Sequence, residues 1–243
     1  MKFSAITLFP DMFHALSQEG VISRALKNKT IEMETLQLRN FAQDARKNVD
    51  DHPAGGGDGM VLRADIAELA LQSILTPQSK VILTTPRGVP FQAKHAKELS
   101  KEEQLIFLCG RYAGFDQRFV DKYTHHHFSL GDFVLSGGEL AAMSFMDAIA
   151  RFIPGTLGNE ESSAMDSFED GLLEAPCYTK PQDFHGELIP PVLTSGNHKK
   201  IKEYKRVEQL KVTAKMRPDL IHSIWGQLTK QEKEFVEKIW KES

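Results

Sequence analysis

Residues 81–114 read VILTTPRGVPFQAKHAKELSKEEQLIFLCGRYAG, and this stretch decides the fold. Val81-Ile82-Leu83 and Leu105-Ile106-Phe107-Leu108 are continuous apolar runs, and Ala93 to Leu99 between them has helical spacing. An unbroken apolar run suits a strand covered on both faces, unlike the polar–apolar alternation of a half-exposed strand. Strand, helix, strand is the unit of a parallel α/β sheet. A glycine-rich turn, Cys109 to Gly114, follows the second strand, at the end where such sheets hold ligands.

Outward from this unit the pattern repeats. Phe3 to Phe9 reads as a buried strand, Met12 to Leu26 as a helix, and Ile31 to Leu38 alternates like a strand. On the other side, Leu140, Met143, Met146, Ile149 and Ile153 mark an amphipathic helix after Gly137-Gly138. The first 150 residues therefore predict a largely parallel α/β fold. From 155 to 190 aliphatic clusters thin out, and the six acids between 159 and 174 have no basic residue to offset them. This segment reads as a long loop. Residues 196 to 217 carry a local charge of +6 on a helical period, and the chain to Trp240 completes a small helical domain. The boundaries drawn are 1–158 for the α/β domain, 159–185 for a flexible interdomain loop and 186–243 for the helical domain.

Composition narrows the function. A net charge of −3 over 243 residues gives no field that draws in a polyanion, so any nucleic-acid surface must be local. Two cysteines cannot build a disulfide framework and point to a reducing compartment. Phe3 to Phe9 is too short for a secretory core, and the apolar stretch near 140–153 is interrupted by Asp147 and Arg151, so no membrane segment is expected. The reading is a soluble cytoplasmic protein.

Three glycine-rich segments follow predicted strands: Gly55 to Met60, Cys109 to Gly114, and Ser129 to Glu139. Glycine lets backbone approach a ligand closely, so together they suggest a nucleotide-like ligand; read by spacing alone, they are equally tight turns. None matches the dinucleotide or triphosphate fingerprint. Asp166 is a loop carboxylate of the kind that serves as general base, but five other acids lie within eight residues of it. Arg151, at the end of the amphipathic helix, suits an anion or carbonyl partner, or simply the helix C-terminus. His125, His126 and His127 cannot all face one metal in a strand, and no metal site is read there. Cys177 and His185 make a weak nucleophile–base pair, with two prolines near and no orienting third group. The basic stretch, with Tyr204 inside it, reads either as a solvated helix face or as a phosphate-backbone contact.

In order along the chain stand VDDHPAGGGDGM (49–60), Gly110-Arg111-Tyr112, GDFVLSGGE (131–139), RFIPG (151–155), Asp166-Ser167-Phe168 and PPVLTSGNH (190–198). This combination resembles the bacterial tRNA (guanine-N1)-methyltransferases across essentially the whole chain. The resemblance implies a homodimer of the SPOUT class whose α/β domain ties a deep trefoil knot. It implies S-adenosylmethionine held by Leu83, Thr84, Thr85 and Pro86, by Gly110 and Tyr112, and by Ser129, Leu130, Gly131, Asp132, Phe133, Val134 and Leu135, with Gly137 and Gly138 closing the pocket. Asp166 is implied as general base and Arg151 as the group stabilising charge at O6 of guanine. Asp50, His52, Lys199, Lys202 and Arg206 are implied as contacts to the tRNA anticodon stem-loop, and the two subunits as sharing the active site. The family also implies Mg2+, with no ligand set readable here. The target implied is the guanine at tRNA position 37. The chain departs from the family's usual residues at His52, Ala54, Ala113, Gln117 and Ala141.

Overall fold

The computed structural model describes residues 1–157 and 166–242; the domain boundary expected at 158/159 and the acids Glu160 and Glu161 lie outside the described residues. The chain divides into two compact units, Met1–Glu160 and Glu161–Ser243.

The first unit runs β1 (Lys2–Thr7), α1 (His14–Gln18), α2 (Gly20–Lys27), β2 (Glu32–Gln37), β3 (Asp50–Asp51), β4 (Val61–Leu62), α3 (Ala64–Gln72), β5 (Ser79–Pro90), α4 (Ala93–Leu99), β6 (Gln104–Cys109), α5 (Gln117–Tyr123), β7 (His126–Ser129) and α6 (Glu139–Ala150). The main sheet has the order β2-β1-β6-β5-β7, and every neighbouring pair is parallel. Side chains alternate across it, which is why its inner strands are apolar throughout. Phe3, Ala5, Ile82, Leu105 and Phe107 point into a core with Phe145 and Ile149 of α6. Ile6, Val81, Leu83, Ile106 and Leu108 point into another with Ala67 and Leu71 of α3 and Phe119 and Val120 of α5.

Two sequence expectations are refined. The helix expected over Met12 to Leu26 is broken: Glu19 is extended (φ −137°, ψ 167°) and Gly20 takes φ +82°, separating α1 from α2. The strand read at Val81 to Leu83 extends to Pro90, with a register shift against β7 between Thr84 and Val89. Pro86 lacks the N–H a regular ladder needs there. Gly88 then lies so close to β7 that a β-carbon on it would fall 2.5 Å from the carbonyl carbon of His127.

In the second unit, α7 (His198–Met216), α8 (Pro218–Ile224) and α9 (Lys230–Glu242) surround a small core of Leu210, Ala214, Ile221, Ile224, Val236 and Ile239. Asn197 caps α7 by accepting from the Lys200 N–H at 3.1 Å. Part of the stretch read as loop is packed here: Leu172 is fully buried in this core, and the Leu173 N–H donates to the Thr213 hydroxyl at 2.9 Å. A short exposed hairpin, β8 (Asp183–Phe184) with β9 (Glu187–Leu188), precedes α7.

Candidate ligand-binding site

The carboxyl ends of three adjacent strands, β6, β5 and β7, open into a cavity of about 250 Å³. Leu83, Thr84, Thr85 and Pro86 come from β5, Gly110 and Tyr112 from the turn after β6, and Ser129, Leu130, Phe133, Val134, Leu135, Gly137 and Gly138 from β7 and the segment leading into α6. Residues up to 55 positions apart thus meet on one surface. Gly131 and Asp132, expected with them, do not line it. Gly131 is folded back, exchanging hydrogen bonds with the Ser129 hydroxyl at 2.9 and 3.2 Å, and a β-carbon on it would lie 2.6 Å from the Phe133 ring. Its part is to let Phe133 reach the wall.

Glycine backbone and the apolar side chains of Leu83, Phe115, Val120 and Ala141 form much of the wall, and Arg87 and Arg111 also line it. The apolar part of that wall suits a flat heterocycle, and the two arginines suit polar or anionic groups attached to it. Gly138 is there because nothing larger fits: an added β-carbon would stand 2.0 Å from the Thr84 Oγ1 and 3.0 Å from the Cys109 Cα. Behind it, burial first and the nearby Glu139 charge second push the Cys109 thiol well above its ordinary pKa, so it is a neutral packing group.

The first glycine segment borders this wall. Gly55, Gly56, Gly57 and Gly59 all have positive φ. The Ala113 N–H donates to the Met60 carbonyl at 2.9 Å and the Leu62 N–H to the Gly114 carbonyl at 2.8 Å. Asp50 sits in β3 opposite Leu62, and His52 is exposed just beyond.

The remaining predicted residues are not among those that line the cavity. Arg151 caps the C-terminus of α6 and is exposed, while Asp166 is half-buried in the second unit, its carbonyl accepting from the Glu169 N–H at 3.4 Å. Lys199 and Lys202 are exposed on the first turns of α7. Arg206 is committed within its own unit, at 2.9 Å to Asp170 and 2.7 Å to Glu232. The three histidines have separate partners: His125 Nδ1 accepts from the Val81 N–H at 3.1 Å, His126 stacks on Phe128, and His127 bonds the Thr124 hydroxyl at 2.6 Å. Among the described residues no three His, Cys, Asp or Glu gather to hold a metal ion.

Sequence reasoning quoted Arg111 and Glu139 inside motifs without giving them a role. The structure pairs them, Arg111 in the cavity wall and Glu139 fully buried behind it. An acid at the first position of a helix is a common sequence signal; its burial is not legible in sequence.

A glycine-walled cavity at the carboxyl ends of parallel strands is where α/β proteins of this architecture hold small organic ligands. A model of the family described as "tRNA (Guanine-1)-methyltransferase TrmD" matches residues 1–223. Curated relatives named "tRNA (guanine-N(1)-)-methyltransferase" include one from Lactobacillus johnsonii, 48% identical over 239 residues, and one from Geobacter sulfurreducens, 47% identical over 224 residues. These alignments cover 98% and 91% of both chains respectively. A Staphylococcus aureus relative is 43% identical over 98% of this chain and 97% of its own. The chain belongs to the tRNA (guanine-1)-methyltransferase family. No helix among the described residues is long and apolar enough to cross a membrane.

Proposed function

We propose that this protein methylates N1 of the guanine at position 37 of tRNA, with S-adenosylmethionine as methyl donor. The observation that carries the reading is the convergence of residues 83–86, 110–115, 129–130 and 133–138 on one cavity in a chain of this family. The residues fit the donor: apolar walls at Leu83, Phe115, Leu135 and Ala141 take the adenine, and open backbone at Gly110, Gly137 and Gly138 takes polar edges. When bound, S-adenosylmethionine supplies a methyl group on a sulfonium whose departure leaves a neutral thioether.

The chain's own residues prepare the guanine. N1 carries a weakly acidic proton, and N1 becomes nucleophilic only as that proton leaves and negative charge moves to O6. Asp166 takes the proton as general base. Arg151 places its guanidinium against O6 and stabilises the developing charge. Lys199 and Lys202, with Asp50 and His52, hold the anticodon stem-loop, while Arg206 acts mainly by anchoring α7. No step is assigned to Mg2+.

The reading includes the deep trefoil knot of the SPOUT class. It is supported by the family to which the chain belongs. It includes a cytoplasmic homodimer with a shared active site, supported by Tyr112, Phe133 and Val134, which line the cavity yet stay exposed, Val134 at 84%. Calorimetric titration with S-adenosylmethionine tests the donor. One site per chain is expected, and no heat with folded protein overturns it.

A further inference from the structure

Glu139 is fully buried and joins three separate parts of the first unit. Its Oε1 accepts from the Thr7 hydroxyl at 2.8 Å, at the end of β1, and from the Arg111 Nε at 3.3 Å, in the turn after β6; the carboxylate itself opens α6. Thr7 in turn accepts from the Phe9 N–H at 2.9 Å, and the Arg111 guanidinium lies 4.4 Å from the centre of the Phe9 ring. The network closes on itself. Arg111 also donates to the Ser136 carbonyl at 3.2 Å and passes so close over Gly137 that a β-carbon there would fall 2.1 Å from its Nε.

This arrangement is costly. The Glu139 Oε2 is buried 3.0 Å from the Arg111 Nε but makes no hydrogen bond among the described residues. A buried ion pair with an unsatisfied oxygen is poor value as a stabiliser, since apolar side chains of similar volume do as well or better. What the pair does supply is fixed geometry. It clamps the Gly110–Tyr112 turn to the Ser136–Gly138 segment, and Tyr112 is held at φ +57°, a backbone conformation a tyrosine seldom adopts unaided. Arg111, Tyr112, Ser136, Gly137 and Gly138 are all cavity lining, whereas Glu139 stands behind them.

We propose that Glu139, acting through Arg111, is a positioning residue for the cofactor cavity: it sets the spacing between the turn after β6 and the start of α6 that the methyl donor must enter. The inference rests on S-adenosylmethionine occupying this cavity. Thr7 and Phe9 belong to the same device and extend it to the end of β1.

The test is calorimetric titration of S-adenosylmethionine into the full-length protein and two variants, with thermal unfolding of each. Glu139→Gln keeps the shape and removes the charge. Arg111→Met/Glu139→Gln removes both charges together, so no unpaired ion is buried and the fold is retained even where the single change weakens it. The expected result is a rise of about tenfold or more in Kd for both variants with one site per chain preserved, as misplaced binding groups produce. In turnover, KM for the donor rises while kcat at saturation changes far less. Wild-type Kd in the double variant overturns the proposal. So does a fall in site number or unfolding temperature with Kd unchanged, the mark of a merely structural role. If the unaltered protein binds no S-adenosylmethionine, the functional reading falls and this inference with it, and the unaltered protein alone reveals that case.

Discussion

The place of a β-carbon on Gly138 coincides with the side chain of Thr84, 2.0 Å from its Oγ1, across the floor of the cavity. Thr84 is not free to move aside without loss, because its hydroxyl donates to the Leu108 carbonyl at 3.0 Å. The Cys109 Cα and Gly110 N, at 3.0 and 3.1 Å, are backbone and cannot yield. Gly138→Ala is therefore expected to cost about 1–3 kcal/mol of stability, the usual penalty of overpacking. It should also abolish binding of S-adenosylmethionine. Urea unfolding and calorimetry measure the two effects, and wild-type binding in this variant would contradict the assignment of the cavity.

Asp166→Ala is expected to lower single-turnover methyl transfer by about 10²–10⁴, the range of a lost general base. Arg151→Ala should lower it by about 10²–10³, the range of a lost charge-stabilising group. Neither residue lines the cavity, so the donor Kd should stay close to wild type in both. Transfer rates unchanged by Asp166→Ala would remove it from the chemistry.

The basic helix separates two kinds of cation. Arg206 spans Asp170 and Glu232, so Arg206→Ala should destabilise the protein by roughly 1 kcal/mol or less, given its partial exposure. Lys199→Ala/Lys202→Ala should leave stability within about 0.5 kcal/mol, as surface changes do. It should weaken tRNA binding and flatten the dependence of log K on log salt by about 1–2. Denaturant melts beside salt titrations of tRNA affinity distinguish them.

Acid should weaken the second unit through Glu232. Burial alone would raise the pKa of this carboxyl. The Thr229 N–H at 2.8 Å, the Arg206 guanidinium and the Thr229 hydroxyl together outweigh it and hold the pKa below its ordinary value. A depressed folded-state pKa adds stability that is complete above the unfolded-state value, about 4.3 for glutamate, and is lost as pH falls through the folded-state value. The expected outcome is a steeper fall of stability below about pH 4.3 in the unaltered protein than in Glu232→Gln. Parallel acid-unfolding curves for the two would contradict it.

Much of the first unit was legible because its strands are buried on both faces, which leaves runs such as Leu105 to Leu108 unmistakable. The break at Glu19-Gly20 was not, since apolar spacing runs through it and only the glycine's positive φ interrupts the helix. The cavity residues could be named in advance only through resemblance to a family; spacing alone left tight turns as an equal reading. The same resemblance places Gly131 in the lining, and what the structure shows of it is that it makes room for Phe133, which is there. The Arg111–Glu139 pair escaped because nothing local marks a helix-opening acid as buried, and its partner Thr7 stands 132 residues away.

The most direct measurement is transfer of labelled methyl from S-adenosylmethionine to two tRNA transcripts that differ only at position 37, guanine in one and adenine in the other, followed by digestion to nucleosides. Label in 1-methylguanosine from the first transcript alone is the predicted result. Equal label in both transcripts would contradict the target, and no label in either, from protein that binds the donor, would contradict the reaction.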